Sequence, residues 1–280
     1  MAGSPGQLYV VATPLGNLED ITQRALRILG EVAVVACEDT RRTARLLHAH
    51  GVPAATTSYF EHNERWKGGQ ILETLLAGRD VALVSDAGTP GISDPGYRLV
   101  SEARAKGIPV IPVPGPSAAV AALSVSGLPT DRFLFVGFLP ARSGARRRAL
   151  TDLADRPETL VVYESPLRVV AALKDMVDLW GARDAFLCRE ATKIHEEYLR
   201  GDLGELTRSL EARDSVRGEI VLVIAGASPD RPGPADTRES PEELFEHLVR
   251  DGLTRRAAVK EVARRLGLPA REVYRRVLPS

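Results

Sequence analysis

Short β-branched runs alternate with helical patterns through the first half of this chain, and that alternation leaves few folds open. LYVVA (8–12) precedes an amphipathic stretch carrying Ile21, Leu26 and Leu29, VAVVA (32–36) precedes a helical pattern over 41–50, and VALVS (81–85) precedes a glycine-rich loop and a helical pattern over 96–106. IPVIPV (108–113) leads into the alanine-rich SAAVAALSVSG (117–127). Parallel strands need a long crossover, and a helix is the usual one. The expectation is therefore α/β, with βαβ units around a mainly parallel sheet.

After GLPTDR (127–132) a second set of strand candidates begins: FLFVGF, TLVVY, AFLC and EIVLVIA. A boundary near Pro129 divides an N-terminal α/β domain, 1–128, from a second α/β domain, 129–227. SPDRPGPADTRES (228–240) is rich in proline, charge and small residues and reads as a linker. Residues 241–280 read as wholly helical, and no internal repeat is visible. A length of 280 residues suffices for two modest domains with real cores.

Lys plus Arg and Asp plus Glu both number 37, so the overall balance names no partner and charge must be read by segment. Cys37 and Cys188 lie far apart near apolar runs, which predicts two buried, reduced thiols; neither cysteine nor histidine spacing offers a metal site. The start MAGSPGQ has no basic and apolar leader pattern, and no apolar run approaches membrane-spanning length. The expected location is the cytoplasm.

SDAGTPGISDPG (85–96) follows an apolar run and precedes a helix, so it lies at the carboxyl end of a strand, where open α/β sheets bind ligands. Its glycines allow positive φ and close backbone approach. It lacks the Gly-Lys-Ser/Thr ending of a phosphate loop and the G-x-G-x-x-G of a dinucleotide site. Asp86 and Asp94 would repel a phosphate and suit hydroxyls, an ammonium or another cationic centre; S-adenosylmethionine carries all of these. The competing reading is a tight turn with Asp caps, Asp94 serving as N-cap before Pro95. VPGPSAAVAAL (113–123) is a second strand, turn and helix start, with Ser117 near the cap.

These residues resemble the ribosomal-RNA 2′-O-methyltransferase branch of the tetrapyrrole methylases. Besides SDAGTPGISDPG, the resemblance is carried by ATPLGNLEDIT (12–22), CEDTRRTARLL (37–47), VPGPSA, GFLP (137–140), YESPLR (163–168), CREATKIHEE (188–197) and GEIVLVIAG (218–226). It implies a two-domain tetrapyrrole-methylase-like fold with the cofactor, S-adenosyl-L-methionine, in a cleft between the domains. It further implies a homodimer, and 2′-O-methylation of a decoding-site cytidine in 16S ribosomal RNA of the small ribosomal subunit. The wider family's G-x-G-P-G-D motif is replaced here by Ala12-Thr13-Pro14-Leu15-Gly16-Asn17, which speaks against a tetrapyrrole acceptor. Carried over by position, cofactor contacts fall on Pro14, Asp86, Ala87, Gly88, Thr89, Ile92, Gly115, Ser117 and Ala118, then on Tyr163, Val221 and Val223 at later strand ends.

Transfer of a methyl group to a ribose hydroxyl needs alignment and an outlet for the hydroxyl proton. The candidates are Glu38, Asp39 and Arg41 after the second strand, and Glu190 and Lys193 after a strand of the second domain. One carboxylate takes the proton or orients the hydroxyl, and Lys193 stabilises the oxyanion. Capping the following helix is a serious rival role for Asp39, and His195 is read as positioning or structural. Arg42, the run Arg142, Arg146, Arg147 and Arg148, and in the tail Arg256, Lys260 and Arg264 are candidate RNA contacts. The tail pattern, with Thr254 as N-cap and Ala258, Val259, Val262, Ala263 and Leu266 on one face, resembles a helix-turn-helix unit. Two other functions share these features: a methyltransferase of a porphyrinoid-like small molecule, and a nucleic-acid-binding protein that senses a metabolite.

Overall fold

In the computed structural model, which describes residues 4–228, 241–250, 253–266 and 269–277, the apolar runs of the first half join one sheet. Its strands are β1 (Leu8–Val11), β2 (Val34–Cys37), β3 (Thr56–Ser58), β4 (Val81–Val84) and β5 (Val110–Val113), in the order β3-β2-β4-β1-β5. Every pairing is parallel. Successive side chains point to opposite faces, so Val81 and Leu83 enter one core while Ala82 and Val84 enter the other. Helices α1 (Gln23–Glu31) and α2 (Thr40–Ala49) cover one face through Ile28, Leu29 and Leu47. Helices α3 (Glu64–Leu76) and α4 (Tyr97–Ala105) cover the other through Leu72, Leu75 and Leu99.

The second sheet contains β6 (Phe133–Phe138), β7 (Thr159–Glu164), β8 (Asp184–Arg189), β9 (Glu197–Asp202) and β10 (Ile220–Ile224), ordered β6-β7-β10-β8-β9. Only β6 and β7 are parallel; the other neighbours run antiparallel. Helices α6 (Ser143–Asp152), α7 (Val169–Trp180) and α8 (Leu203–Glu211) bury Leu150, Leu173, Met176 and Leu206 against one face. β3 and β9 are edge strands absent from the sequence reading. TTS and EYLRGD carry too few apolar residues to announce a strand, because an edge is half solvated.

The expected domain boundary falls one helix later than the packing does. Helix α5 (Ala118–Val125) precedes Pro129 in sequence, yet Ala119, Ala122 and Leu123 pack on Val161, Phe186 and Val223 of the second sheet. Small residues on this helix let it lie close to the strands, and it roofs the face that α6–α8 leave open.

Helices α9 (Pro241–Arg250), α10 (Arg255–Leu266) and α11 (Ala270–Val277) form the C-terminal module. They share a core of Leu244, Phe245, Leu248, Ala258, Val259, Val262 and Val273. Thr254 caps α10 as expected, its hydroxyl accepting from the Ala257 N–H at 3.4 Å. The 229–240 part of the expected linker, the Gly267–Leu268 part of the expected turn and the side chains of Arg264 and Leu266 lie outside the described residues. Cys37 and Cys188 are free and buried, and burial pushes the Cys188 thiol up to about 11. Among the described residues no helix is long and apolar enough to cross a membrane.

Candidate active site

The carboxyl ends of β1, β4 and β5 face the second sheet across a cleft of about 310 Å³. One wall is the loop 85–96, contributing Asp86, Ala87, Gly88, Thr89, Ile92 and Asp94, with Leu15 beside it. The start of α5 adds Ser117 and Ala118, and the second sheet adds Phe138, Tyr163 and Val221. Nine of the twelve residues expected to touch a cofactor therefore line one cavity.

The other three do not line it. Pro14 borders a smaller adjoining cavity of about 210 Å³ with Thr13, Gly16 and Arg42. Gly115 serves packing: a Cβ there would lie 3.0 Å from Ala12 Cβ, so the ends of β1 and β5 approach closely only without it. Val223 is fully buried under α5. It shares a face with Val221 but sits about 7 Å further along the strand, beyond the cavity.

Backbone geometry shapes the loop. Gly88 has φ +79°, and its N–H and carbonyl exchange hydrogen bonds with Thr13 at 3.0 and 2.9 Å, tying the loops after β1 and β4 together. Ser93 has φ +61°, an uncommon conformation for a residue with a side chain. Its hydroxyl lies where a Cβ at Gly137 would come within 3.2 Å, at the register shift in β6. The Tyr163 hydroxyl accepts the Ala119 N–H at 3.1 Å, and the Phe138 and Tyr163 rings meet edge to face with centroids 5.7 Å apart.

Asp94 is not the cap of α4. That helix starts at Tyr97 with Gly96, at φ +140°, as its N-cap. Asp94 lines the cleft instead, and burial pushes its carboxyl up to about 6. The charges of Glu38, Asp86 and Glu219 add to the shift. Asp86 accepts the Asp39 N–H at 3.0 Å and pairs with Arg42 at 3.4 Å.

The candidate catalytic residues form two groups beside the cleft rather than lining it. In the first, Asp39 takes the capping role: its carboxylate accepts the Arg41 N–H at 2.8 Å and pairs with the Arg41 guanidinium at 2.9 Å. The Arg41 side-chain hydrogen bond, followed by the backbone one, lowers Asp39 to about 2. A carboxylate that acidic is a weak base, and Arg41 is bound to its own helix cap. Glu38 behaves oppositely, raised by burial and then by the charge of Asp86.

In the second group, Lys193 bridges Glu190 at 2.8 Å and Glu219 at 3.2 Å. Burial works to lower the ammonium's pKa, but the two carboxylates outweigh it and raise it. Gly16 accommodates the Lys193 stem, where any Cβ would overlap it, and the Asn17 N–H donates to Thr192 Oγ1 at 3.2 Å. Glu190 and Thr192 hold positive φ, at +53° and +66°. The loops after β1 and β8 are thus locked together, with Glu219 projecting from this cluster into the cleft lining.

The arginine run after β6 does not form the phosphate-binding face expected of it. Arg146 is 5% exposed and pairs with Asp175 at 2.7 Å. Arg147 pairs with Asp175 at 2.7 Å and Asp178 at 3.0 Å. Both face α7, and only Arg142 and Arg148 of the four are exposed. The sequence reading placed Phe138 and Glu219 at the ends of the strand candidates FLFVGF and EIVLVIA without assigning either to the cleft; a residue at a strand end carries no pattern of its own.

Comparison with known proteins agrees with this architecture. Residues 7–207 match the family model of the tetrapyrrole (corrin/porphyrin) methylases. A "Ribosomal RNA small subunit methyltransferase I" of Halalkalibacterium halodurans is 45% identical over 273 residues, covering 96% of this chain and 93% of that protein. The protein of the same name in Micromonospora olivasterospora is 49% identical over 277 residues, covering 99% and 87%. Among solved structures, a uroporphyrin III C-methyltransferase of Thermus thermophilus superimposes with a TM-score of 0.56 at 21% identity, covering 78% of this chain and 97% of that one. That level of identity speaks for the fold alone. With more than two thirds of its length matching the family model, and a cleft built from the strand-end loops that carry the motifs, this chain belongs to the tetrapyrrole methylase family.

Proposed function

We propose that this protein transfers a methyl group from S-adenosyl-L-methionine to the 2′-oxygen of a decoding-site cytidine in 16S ribosomal RNA. The lining of the cleft carries the reading. Apolar surfaces of Leu15, Ile92, Ala118, Phe138, Tyr163 and Val221 stand beside the carboxylates of Asp86, Asp94 and Glu219, with Arg42 already paired to Asp86. That donor set fits the methyl donor. Carboxylates suit its ammonium and ribose hydroxyls, the glycine loop admits its backbone-like methionyl part, and the aromatic and aliphatic wall suits a base. The names of the curated relatives support small-subunit ribosomal RNA as acceptor.

Bound there, the cofactor supplies an electrophilic methyl on a sulfonium. Asp86 and the main chain of Ala87 and Gly88 would hold the methionyl end, and Phe138, Tyr163 and Val221 would cover the base. The acceptor hydroxyl gives its proton to a carboxylate whose pKa lies above the ordinary range, because a base is most effective near the working pH. Glu38 and Asp94 meet that condition and Asp39 does not. Lys193 acts by holding Glu219 and Glu190 in place. Exposed Phe60, Trp66 and Tyr97 lie where the starts of α3 and α4 are joined by the Gly96 N–H donating to Glu64 at 3.1 Å, which supports a homodimer contact there. The site of action is the cytoplasm, with the ribosomal subunits.

The test is incubation with labelled S-adenosylmethionine and small ribosomal subunits from a strain lacking this modification. Label in RNA at one alkali-resistant ribose linkage is expected. Label confined to small molecules or protein would overturn the reading.

A further inference from the structure

The acidic surroundings of the cleft leave open where a polyanion is held. Glu38, Asp86, Asp94 and Glu219 gather there, and of the nearby cations Arg42 and Lys193 are each paired to a carboxylate, which leaves Arg45 of the adjoining cavity against four carboxylates. The arginines of α6 do not fill the gap, because Arg146 and Arg147 are tied to α7. Positive charge lies elsewhere. Residues 250–280 hold nine basic and three acidic side chains in a chain of zero net charge, so the remainder carries the opposite surplus.

The C-terminal module presents that charge outward. Its apolar residues, including Val259 and Val262 of α10 and Val273 of α11, are buried against α9. Arg256 and Lys260 are exposed one turn apart on α10. On α11, Arg271, Tyr274 and Arg275 share a face at i, i+3 and i+4, and Tyr274 is 57% exposed. These four cations make no ion pair among the described residues, whereas Arg276 is paired to Glu272 at 2.8 Å. Exposed arginines around an exposed ring fit a phosphate backbone: guanidinium forks bind phosphate in two places, and the ring can stack on an unpaired base.

Resting on the RNA reading above, we infer that this module is a second RNA-contact surface, separate from the cleft, which grips the phosphates of folded RNA through Arg256, Lys260, Arg271 and Arg275. The deep, narrow major groove of an RNA duplex excludes side chains from the base edges, so the contact is with backbone and insensitive to sequence. Twelve residues, 229–240, join the module to the body. Covalent geometry limits the distance from Ser228 to the start of α9 to about 45 Å, which bounds how far from the body the module can hold RNA.

The experiment measures binding of the full-length protein to protein-free 16S RNA and to purified small subunits across a salt series, without methyl donor. Replacing the four cations together by Gln should weaken both by about tenfold or more near physiological salt and reduce the slope of log affinity against log salt by about 3. A second variant, Arg256→Lys, Arg271→Lys and Arg275→Lys, keeps the charge and should keep the slope. Unchanged cofactor affinity by calorimetry shows that the body of either variant is intact. An unchanged slope in the Gln variant, or no salt-dependent binding by the wild type, overturns the inference. Loss confined to assembled subunits also overturns it, pointing to an acidic protein partner. Methyl transfer is scored separately: flattened binding without any transfer to RNA by the wild type would refute the proposed reaction and leave this surface standing.

Discussion

Two residues of the loop after β4 make opposite demands on the backbone and on charge. Gly88 holds φ +79° while its main chain is bonded to Thr13 on both sides. A β-branched residue there is strained by about 1–2 kcal/mol and stands in the cleft lining. Gly88→Val should weaken S-adenosylmethionine binding by about tenfold or more in a protein that still folds, as calorimetry can show. Asp94 concerns protons. Its folded value of about 6 lies above its ordinary 3.8, so the folded state retains a proton between those values. Its penalty on folding is absent below about pH 4 and complete once the pH passes 6. A cationic ligand favours the charged carboxylate, so cofactor affinity should climb from pH 5 to 7 in the wild type. In Asp94→Asn that rise should flatten, and the variant should melt higher than the wild type at pH 7. An identical pH profile in both proteins would remove Asp94 from the ligand site.

At the level of elements, helices α6 and α7 are held by a buried charge cluster. Asp175 accepts from Arg146 Nε at 2.8 Å and from Arg147 at 2.7 Å, and the Arg146 side chain is 7% exposed. Asp175→Ala strands a buried guanidinium and should destabilise the fold by about 3 kcal/mol, because a lone buried charge has lost its compensation. Arg148→Ala, at an exposed position of the same helix, should stay within about 0.5 kcal/mol of the wild type. Thermal unfolding of the two variants separates a structural arginine pair from a solvated one. Helix α5 is joined to the second sheet more lightly. Tyr163→Phe deletes the acceptor of the Ala119 N–H and should lower stability by about 1 kcal/mol.

For the whole molecule, every residue lining the cleft lies between positions 15 and 221, and the C-terminal module has its own apolar core. Removal of residues 229–280 should leave cofactor affinity within about twofold, a difference of about 0.4 kcal/mol. A larger loss measured by calorimetry would mean that the module supports the cleft. Lys193→Ala tests the tie between the loops after β1 and β8: with Glu190 and Glu219 released, turnover should fall more than cofactor affinity, a split that single-turnover kinetics can resolve.

The βαβ alternation, the strand-end position of the glycine loop, the capping Thr254 and the helical tail were all legible in the sequence, because each depends on local periodicity or on backbone freedom at a few residues. The motifs that carry the resemblance also named Asp86, Gly88 and Tyr163, which line one cleft. What a side chain meets across the molecule was decided only by the tertiary structure. Asp39 and Asp94 are both aspartates just before a helical pattern, yet one caps its helix and is lowered to about 2 while the other turns into the cleft and rises to about 6. Four arginines in one short run divide into two held by Asp175 and two left in solvent. The physical reason is the same in each case: burial and charge partners come from segments distant in sequence, and those two terms fix the protonation and the availability of a polar group.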